Sequence, residues 1–436
     1  MFPSPSMTIT RSVLPNGIMI QLKEVHNAPI ISHWIWYRVG SRNEQPGKTG
    51  LSHWVEHMQF KGTPTFPGRT LNKVISREGG IWNAYTHMDW TAYFETLPAD
   101  KIDLALRLET DRMCNSLFDV EEVEAERTVI LSEREGSENE PLFRLDEAVQ
   151  RTAFFNHPYR SEVIGEVEDL RSIQRDDLFQ HYRSFYVPNN AVVTLAGDFS
   201  SSEMLAEVED IYGAIPAGNP PSLSMIEDTP IKEEQQVDVS GPGETTYIRL
   251  AYRAPAAAQE DFFSFTILDS LLSGPASLNM FGGGGTTNKT SRLYRALVER
   301  ELAIGVSGGL QATIDPYLYS LTTTVNPRHR PQEVIEAIDQ QIYRLQEEIV
   351  PDVEIRRAIK QARALFAYGS ENTTNQAFWL GYAEMFDHYD WFEHYLKRLE
   401  QVTPEDVQRI ARSYLLKTCR VVGIFHPDGR QAEVER

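Results

Sequence analysis

Two hydrophobic periods alternate along the chain. Near its start, TITRSVLPNGIMIQLKEV alternates apolar and polar residues on either side of a Pro-Asn-Gly turn, which predicts two strands in a hairpin. ISHWIWYRVGSR is aromatic and β-branched and predicts a buried strand. Gly80 to Leu97, GIWNAYTHMDWTAYFETL, predicts strand with a bend. Between these runs the period lengthens to that of a helix, around 50–61, 99–115, 119–136, 142–153 and 175–184. A strand in YVPNNAVVTLAGDF and a helix in SSEMLAEVEDIYGAI follow.

The texture then changes. Residues 216–234, PAGNPPSLSMIEDTPIKEE, are rich in Pro, Ser and charge without periodicity, and are expected to link domains 1–215 and 235–436. Beyond them VDVSGPGETTYIRLAYRAP predicts strands, DFFSFTILDSLLSG and TSRLYRALVERELA predict helices, and helical pattern dominates from Pro331 to Tyr395. The halves repeat. Asp177 begins DLFQHYRSFYVPNNAVVTLAG and Asp406 begins DVQRIARSYLLKTCRVVGIFH, with Val192–Val193 and Val421–Val422 at the same offset. A duplicated α+β domain is therefore expected, and 436 residues exceed what one core supports.

Composition narrows the function classes. A formal net charge of -20 argues against nucleic acid as a partner, since a phosphate backbone needs clustered Lys and Arg. Two distant cysteines, Cys114 and Cys419, exclude a disulfide framework and fit a reducing, cytoplasmic location. No apolar run reaches the length of a membrane helix, so no membrane is expected as a partner. The start MFPSPSMTITRSVLPNG lacks a basic stretch followed by an apolar run, so no signal peptide is expected.

One helical stretch carries chemistry. In TGLSHWVEHMQFKGT, Leu51, Trp54, Val55 and Met58 form one apolar stripe, and His53, Glu56 and His57 cluster opposite. Thr49 is the expected N-cap and Gly62 the expected stop. Two imidazoles one turn apart can share a zinc ion, and a neighbouring carboxylate can take a proton from a zinc-activated water. Solvated His/Glu pairs are common on helices, so a third ligand is required. His87 lies in a strand, and His26 and His33 have no supporting cluster. The helix FDVEEVEAERTVILSERE is expected to start in a capping box of Asp119 and Glu122, and it presents Glu122, Glu126 and Glu133 on one face. Spacing alone does not choose between Glu126 and Glu133.

GLSHWVEHMQFKGT, GGIWNAYTHMDWTAYF and EAERTVILSERE together resemble the inverted zinc motif of the pitrilysin and insulinase metallopeptidases. Half-length chains of this kind resemble the mitochondrial-processing-peptidase branch. The resemblance implies that His53, His57 and Glu133, the last of them 76 residues after His57, bind Zn²⁺. It makes Glu56 the general base and gives Glu126 the task of orienting a ligand. It implies an α+β fold of two similar domains, each a mostly antiparallel sheet with helices on one face, forming half of a clamshell. A zinc endopeptidase acting on unfolded peptides is expected, with the peptide paired to the strand of Asn83, Ala84 and Tyr85.

The resemblance departs in the second half. Where the family reads LREKRGLAYSV this chain reads LVERELAIGV, with Val298 at the Arg position, Ile304 at the Tyr position and one residue fewer between them. Neither side chain can donate a hydrogen bond to a developing oxyanion. Two arrangements are open: a heterodimer whose homologous partner supplies the Arg–Tyr pair, or a homodimer with another donor, Tyr317 or Tyr319. The rival from another class is a structural or assembly subunit that keeps the fold without hydrolysis. Gly282–Gly285, in FGGGGTTNKTSRLY, resemble a substrate-sensing loop, and Glu135, Glu138 and Glu140 are expected to favour basic residues near the cut.

Overall fold

A computed structural model describes residues 9–222, 224–275 and 289–429. The glycine run Gly282–Gly285 lies outside the described residues. Two sheets organise the rest. The first holds β1 (Ile9–Val13), β2 (Met19–Glu24), β3 (Ile30–Tyr37), β4 (Ile81–Thr86), β5 (Thr91–Pro98) and β6 (Ala191–Gly197), in the order β1-β2-β6-β3-β5-β4. The second holds β7 (Gln235–Gly241), β8 (Tyr247–Arg253), β9 (Ala303–Gly309), β10 (Leu318–Val325) and β11 (Arg420–Pro427), in the order β7-β11-β8-β10-β9.

The sequence repeat is a repeat of topology. Remove β1, and β2-β6-β3-β5-β4 matches β7-β11-β8-β10-β9 strand for strand. In each sheet one pair is parallel, β2 with β6 and β7 with β11, and the remaining pairs are antiparallel. The helices Arg175–Phe185 and Pro404–Tyr414 precede the equivalent strands β6 and β11, and each starts in a capping box, Gln174 with Asp177 and Thr403 with Asp406. The bend expected within Gly80–Leu97 is a complete reversal: β4 and β5 are two antiparallel strands.

Two compact units result, and neither is a single stretch of chain. One comprises residues up to Glu133, Glu162–Ser224 and Ser370–Phe392. The other comprises Arg134–Ser161, Met225–Gly369 and Glu393 onward. In the first unit the side chains of β3 alternate between two covered faces. His33 and Tyr37 meet Tyr212 and Tyr186 on one side, while Trp34 and Trp36 pack against Phe378 at 5.4 and 5.3 Å on the other. Phe378 belongs to the helix Thr373–Tyr382, so the second face of the sheet is covered by a helix from late in the chain. Thr194 Oγ1 donates to the carbonyl of Ala377 at 2.8 Å. Gly381 permits this approach: a Cβ there would lie 2.1 Å from the Trp36 indole nitrogen.

The second unit repeats the arrangement. The helix Pro141–Ala153, from the first half of the sequence, lies on β11, and a Cβ at Gly423 would meet Val149 at 2.4 Å. Asp146 of that helix pairs with Arg249 of β8 at 2.6 Å. Among the described residues no helix is long and apolar enough to cross a membrane.

Candidate metal centre

The HWVEH segment forms the helix Leu51–Met58, and its apolar stripe is buried as the period requires: Trp54, Val55 and Met58 are fully enclosed and Leu51 nearly so. The cap is not Thr49. Gly50 occupies the N-cap with φ 90, and the buried Glu44 carboxylate accepts from the N–H groups of Gly50 at 2.8 Å and Ser52 at 2.7 Å. Its two oxygens satisfy N–H groups that the helix itself leaves without partners. Burial pushes the Glu44 carboxyl up to about 8, against the pull of those bonds. Thr49 instead bonds Asp169, through its N–H at 3.0 Å and its hydroxyl at 2.7 Å. The helix ends at Met58, ahead of Gly62.

The third element is the helix Val120–Glu138, whose first N–H groups, at Glu121 and Glu122, are bonded to Asp119. Arg127 fixes its seat: its guanidinium lies 4.8 Å above the Trp54 ring and donates to the carbonyls of Leu170 and Ile173. Immediately before that anchor and nearly two turns beyond it, Glu126 and Glu133 reach the motif helix. His57 Nδ1 is 2.8 Å from Glu126 Oε1, and Lys61 Nζ pairs with Glu126 Oε2. His57 Nε2 stands 3.6 Å from Glu133 Oε2, and His53 Nε2 stands 4.0 Å from Glu133 Oε1. His53, His57 and Glu133 each offer one ligand atom within 4.8 Å of the others, the one such group among the described residues.

The geometry separates the two glutamates that spacing left open. Glu126 is nearly buried and bonded to the far nitrogen of His57, whereas Glu133 is exposed and faces both Nε2 atoms. A tetrahedral zinc with bonds of about 2.0–2.1 Å sets its ligand atoms about 3.4 Å apart. The observed separations, 3.6 Å to one oxygen of Glu133 and 4.0 Å to the other, exceed that by about 0.2 and 0.6 Å, so a small side-chain adjustment lets these residues fit the ion. The Glu126 bond holds the His57 proton on Nδ1 and leaves the Nε2 lone pair for a metal.

Electrostatics distinguish the two histidines. Burial, helped by the neighbouring His57, lowers His53 to about 3, so it stays neutral and able to ligate. Burial also opposes charge on His57, but the Glu126 bond and the charges of Glu56, Glu126 and Glu133 outweigh it and raise its pKa. Burial raises the carboxyl of Glu56 above the usual range, partly offset by a hydrogen bond from Thr86 Oγ1 at 2.6 Å. A carboxylate so raised is a better proton acceptor.

Behind Glu56 lies a buried charged cluster with no signature in the sequence. Arg112 bonds Glu109 at 2.6 Å, approaches Glu95 at 3.8 Å and lies 4.5 Å over the Tyr93 ring. His33 joins it through Glu95 at 3.0 Å, and His26 is held by Glu24 and Asp198, so both histidines are committed to internal partners. His87 stacks on Trp90.

Asn83, Ala84 and Tyr85 lie on β4, the edge strand of the first sheet; Asn83 is exposed, Ala84 buried and Tyr85 half-buried. In the second unit Ile304 is 62% exposed on the edge strand β9, and Val298 ends a turn of π-helix, Tyr294–Val298. Tyr319 does not fit the donor role: it is fully buried and donates to Asp269 Oδ1 at 2.7 Å. Tyr317 packs between Phe154 and Tyr159 at 5.6 and 5.3 Å. Of the acidic trio, Glu138 is drawn into a pair with Arg134 at 3.1 Å, and Glu135 and Glu140 are exposed.

Comparison with known proteins places the two halves separately. Residues 19–167 match the family model described as insulinase (peptidase family M16), and residues 172–362 match the one described as the peptidase M16 inactive domain. A protein of Mycobacterium leprae named an uncharacterized zinc protease is 28% identical over 420 residues, covering 94% of this chain and 90% of its own. The crystal structure of a protease from Helicobacter pylori superposes with a TM-score of 0.88 at 22% identity, covering 96% of this chain and 99% of that one. A Pseudomonas fluorescens structure titled peptidase M16 inactive domain superposes with a TM-score of 0.86 at 16% identity, covering 98% and 100%.

Proposed function

Because the chain belongs to the pitrilysin/insulinase family of M16 peptidases, we propose that it is a zinc-dependent endopeptidase acting on unfolded peptides, as the zinc-bearing subunit of a dimer. The observation that carries this reading is the convergence of His53 Nε2, His57 Nε2 and the Glu133 carboxylate beside Glu56. Zinc held there would act as a Lewis acid that activates a water. Glu56 takes the proton from the attacking water and passes it to the leaving amine. Glu126 and Lys61 keep the His57 ring in the ligating tautomer.

The peptide lies along β4, whose outer edge has no neighbouring strand among the described residues. Val298 and Ile304 provide no oxyanion donor, so a homologous partner of the mitochondrial-processing type supplies the missing Arg–Tyr pair. The burial of Tyr319 favours that arrangement over a homodimer completed from DPYLYSL. The same absence of a donor favours a second reading, a non-hydrolytic assembly subunit. Its weakness is the preserved set around His53, His57 and Glu133, for which a scaffold has no need.

The experiment is peptide cleavage by the chain alone and with homologous chains, with and without chelator. Chelator-sensitive cleavage, abolished in Glu56→Gln while zinc content holds, is expected. Cleavage that survives chelation, or Glu56→Gln with full activity, overturns the assignment.

A further inference from the structure

Thr86 stands where the two parts of the proposed reaction meet. It is the last residue of β4, directly after Asn83, Ala84 and Tyr85. Its hydroxyl reaches across to the motif helix and bonds Glu56 Oε2 at 2.6 Å, the one hydrogen bond found for the Glu56 side chain among the described residues. An ionised carboxylate has no proton to give, so Thr86 is the donor. With Oε2 engaged, Oε1 is the oxygen left to receive the proton from water.

The backbone under Thr86 is firmly held. Thr86 pairs with Thr91 of β5, and the buried Thr91 hydroxyl donates to the carbonyl of Val39 at 2.9 Å. Threonine is branched at Cβ and therefore stiff at χ1, so its oxygen has a fixed position relative to the strand. The motif helix is anchored independently, through Trp54, Val55 and the Glu44 cap. The Thr86–Glu56 bond is thus a direct link between the strand that would carry the peptide and the group that would take the proton.

We propose that Thr86 is a positioning residue that fixes the Glu56 carboxylate relative to the edge strand, so that one side chain sets the distance between bound peptide and base. The inference rests on the peptidase reading for its consequence in catalysis, but the geometric coupling is testable without it. A misplacement of the base by about 1 Å costs about a hundred-fold in rate. The loss belongs to kcat, because the backbone of β4 that would pair with the peptide is unaltered.

The test uses two substitutions in the full chain. Thr86→Val keeps the shape and removes the hydroxyl; Thr86→Ser keeps the hydroxyl and removes a methyl. Crystal structures of the zinc-loaded variants are expected to show the Glu56 carboxylate displaced in Thr86→Val and restored in Thr86→Ser. With a cleavable peptide, Thr86→Val is expected to lose about ten- to a hundred-fold in kcat with KM within two-fold, and Thr86→Ser to recover most of it. Zinc content and melting temperature serve as controls for a collapsed site. A Glu56 carboxylate unmoved in Thr86→Val, or a Thr86→Ser variant no better than Thr86→Val, overturns the proposal. A wild-type chain that cleaves nothing sinks the peptidase reading instead, and the crystallographic comparison still decides the coupling.

Discussion

The helices Leu51–Met58 and Asp261–Leu272 occupy the same slot in the duplicated topology, after β3 in one sheet and after β8 in the other. One buries a narrow stripe and presents His53, Glu56 and His57 on its remaining face. The other buries Phe262, Phe263, Phe265, Ile267, Leu268, Leu271 and Leu272 together with Asp269, whose carboxylate is spent on Ser273 and Tyr319. Duplication supplies two equivalent frames, and the polarity of one helix face decides which carries the candidate metal centre and which a core. The buried Asp269, raised to about 6 by desolvation, shows that acidic residues alone do not make a site; its partners do.

The sharpest way to break this contrast is to remove a ligand. Glu133→Ala should drop zinc from about one ion per chain to background in elemental analysis, and cleavage with it, while the melting temperature of the apoprotein is unchanged. Zinc retained at full stoichiometry would refute the ligand set. The converse change lies in the other helix: Phe265→Ala should cost about 3–5 kcal/mol in urea unfolding of the second unit and leave zinc content alone. Loss of zinc in that variant would mean that the two frames are not independent.

A smaller effect is expected where the helix Thr373–Tyr382 meets the first sheet. Gly381→Ala drives a methyl into Trp36 and should cost about 1–3 kcal/mol in the same measurement. The last effect appears only on acidification and concerns His181, whose Nε2 is 3.2 Å from Ser52 Oγ beneath the motif helix and whose pKa burial lowers to about 4. The unfolded chain binds that proton near pH 6.5 and the folded chain does not, so stability falls as pH drops from about 6.5 to about 4. His181→Gln should flatten the unfolding profile in that window by about 1.4 kcal/mol per pH unit, and an unchanged slope would show that His181 is not buried neutral.

Much of this was legible in the residues. The HWVEH segment announces itself because a helix period sorts Trp54 and Val55 from His53 and His57 without tertiary information. The repeat around Asp177 and Asp406 was visible because capping boxes and the following strand are local. Spacing does not separate Glu126 from Glu133, since seven residues return to one helix face; the resemblance points to Glu133, and in the structure Glu133 faces both Nε2 atoms while Glu126 bonds Nδ1 of His57. Glu44 was invisible as a cap because it acts from six residues upstream, ahead of a glycine with positive φ. Thr86 carried no signal at all, being one threonine at a strand end. Tyr319 read as a free donor because alternation along β10 does not reveal that its hydroxyl meets Asp269.

The segments Pro141–Ala153 and Thr373–Tyr382 illustrate the same limit, since an apolar helix face does not say which sheet it will cover. They also constrain how the protein is made. The first sheet keeps Trp34 and Trp36 uncovered until residues beyond Tyr382 have been synthesised, although its own strands are complete by Gly197. During synthesis that face of the sheet stays uncovered until nearly the whole chain has emerged. Separately expressed halves cut at the 216–234 segment would each carry the other's missing piece, and would recover their cores only by trading it back.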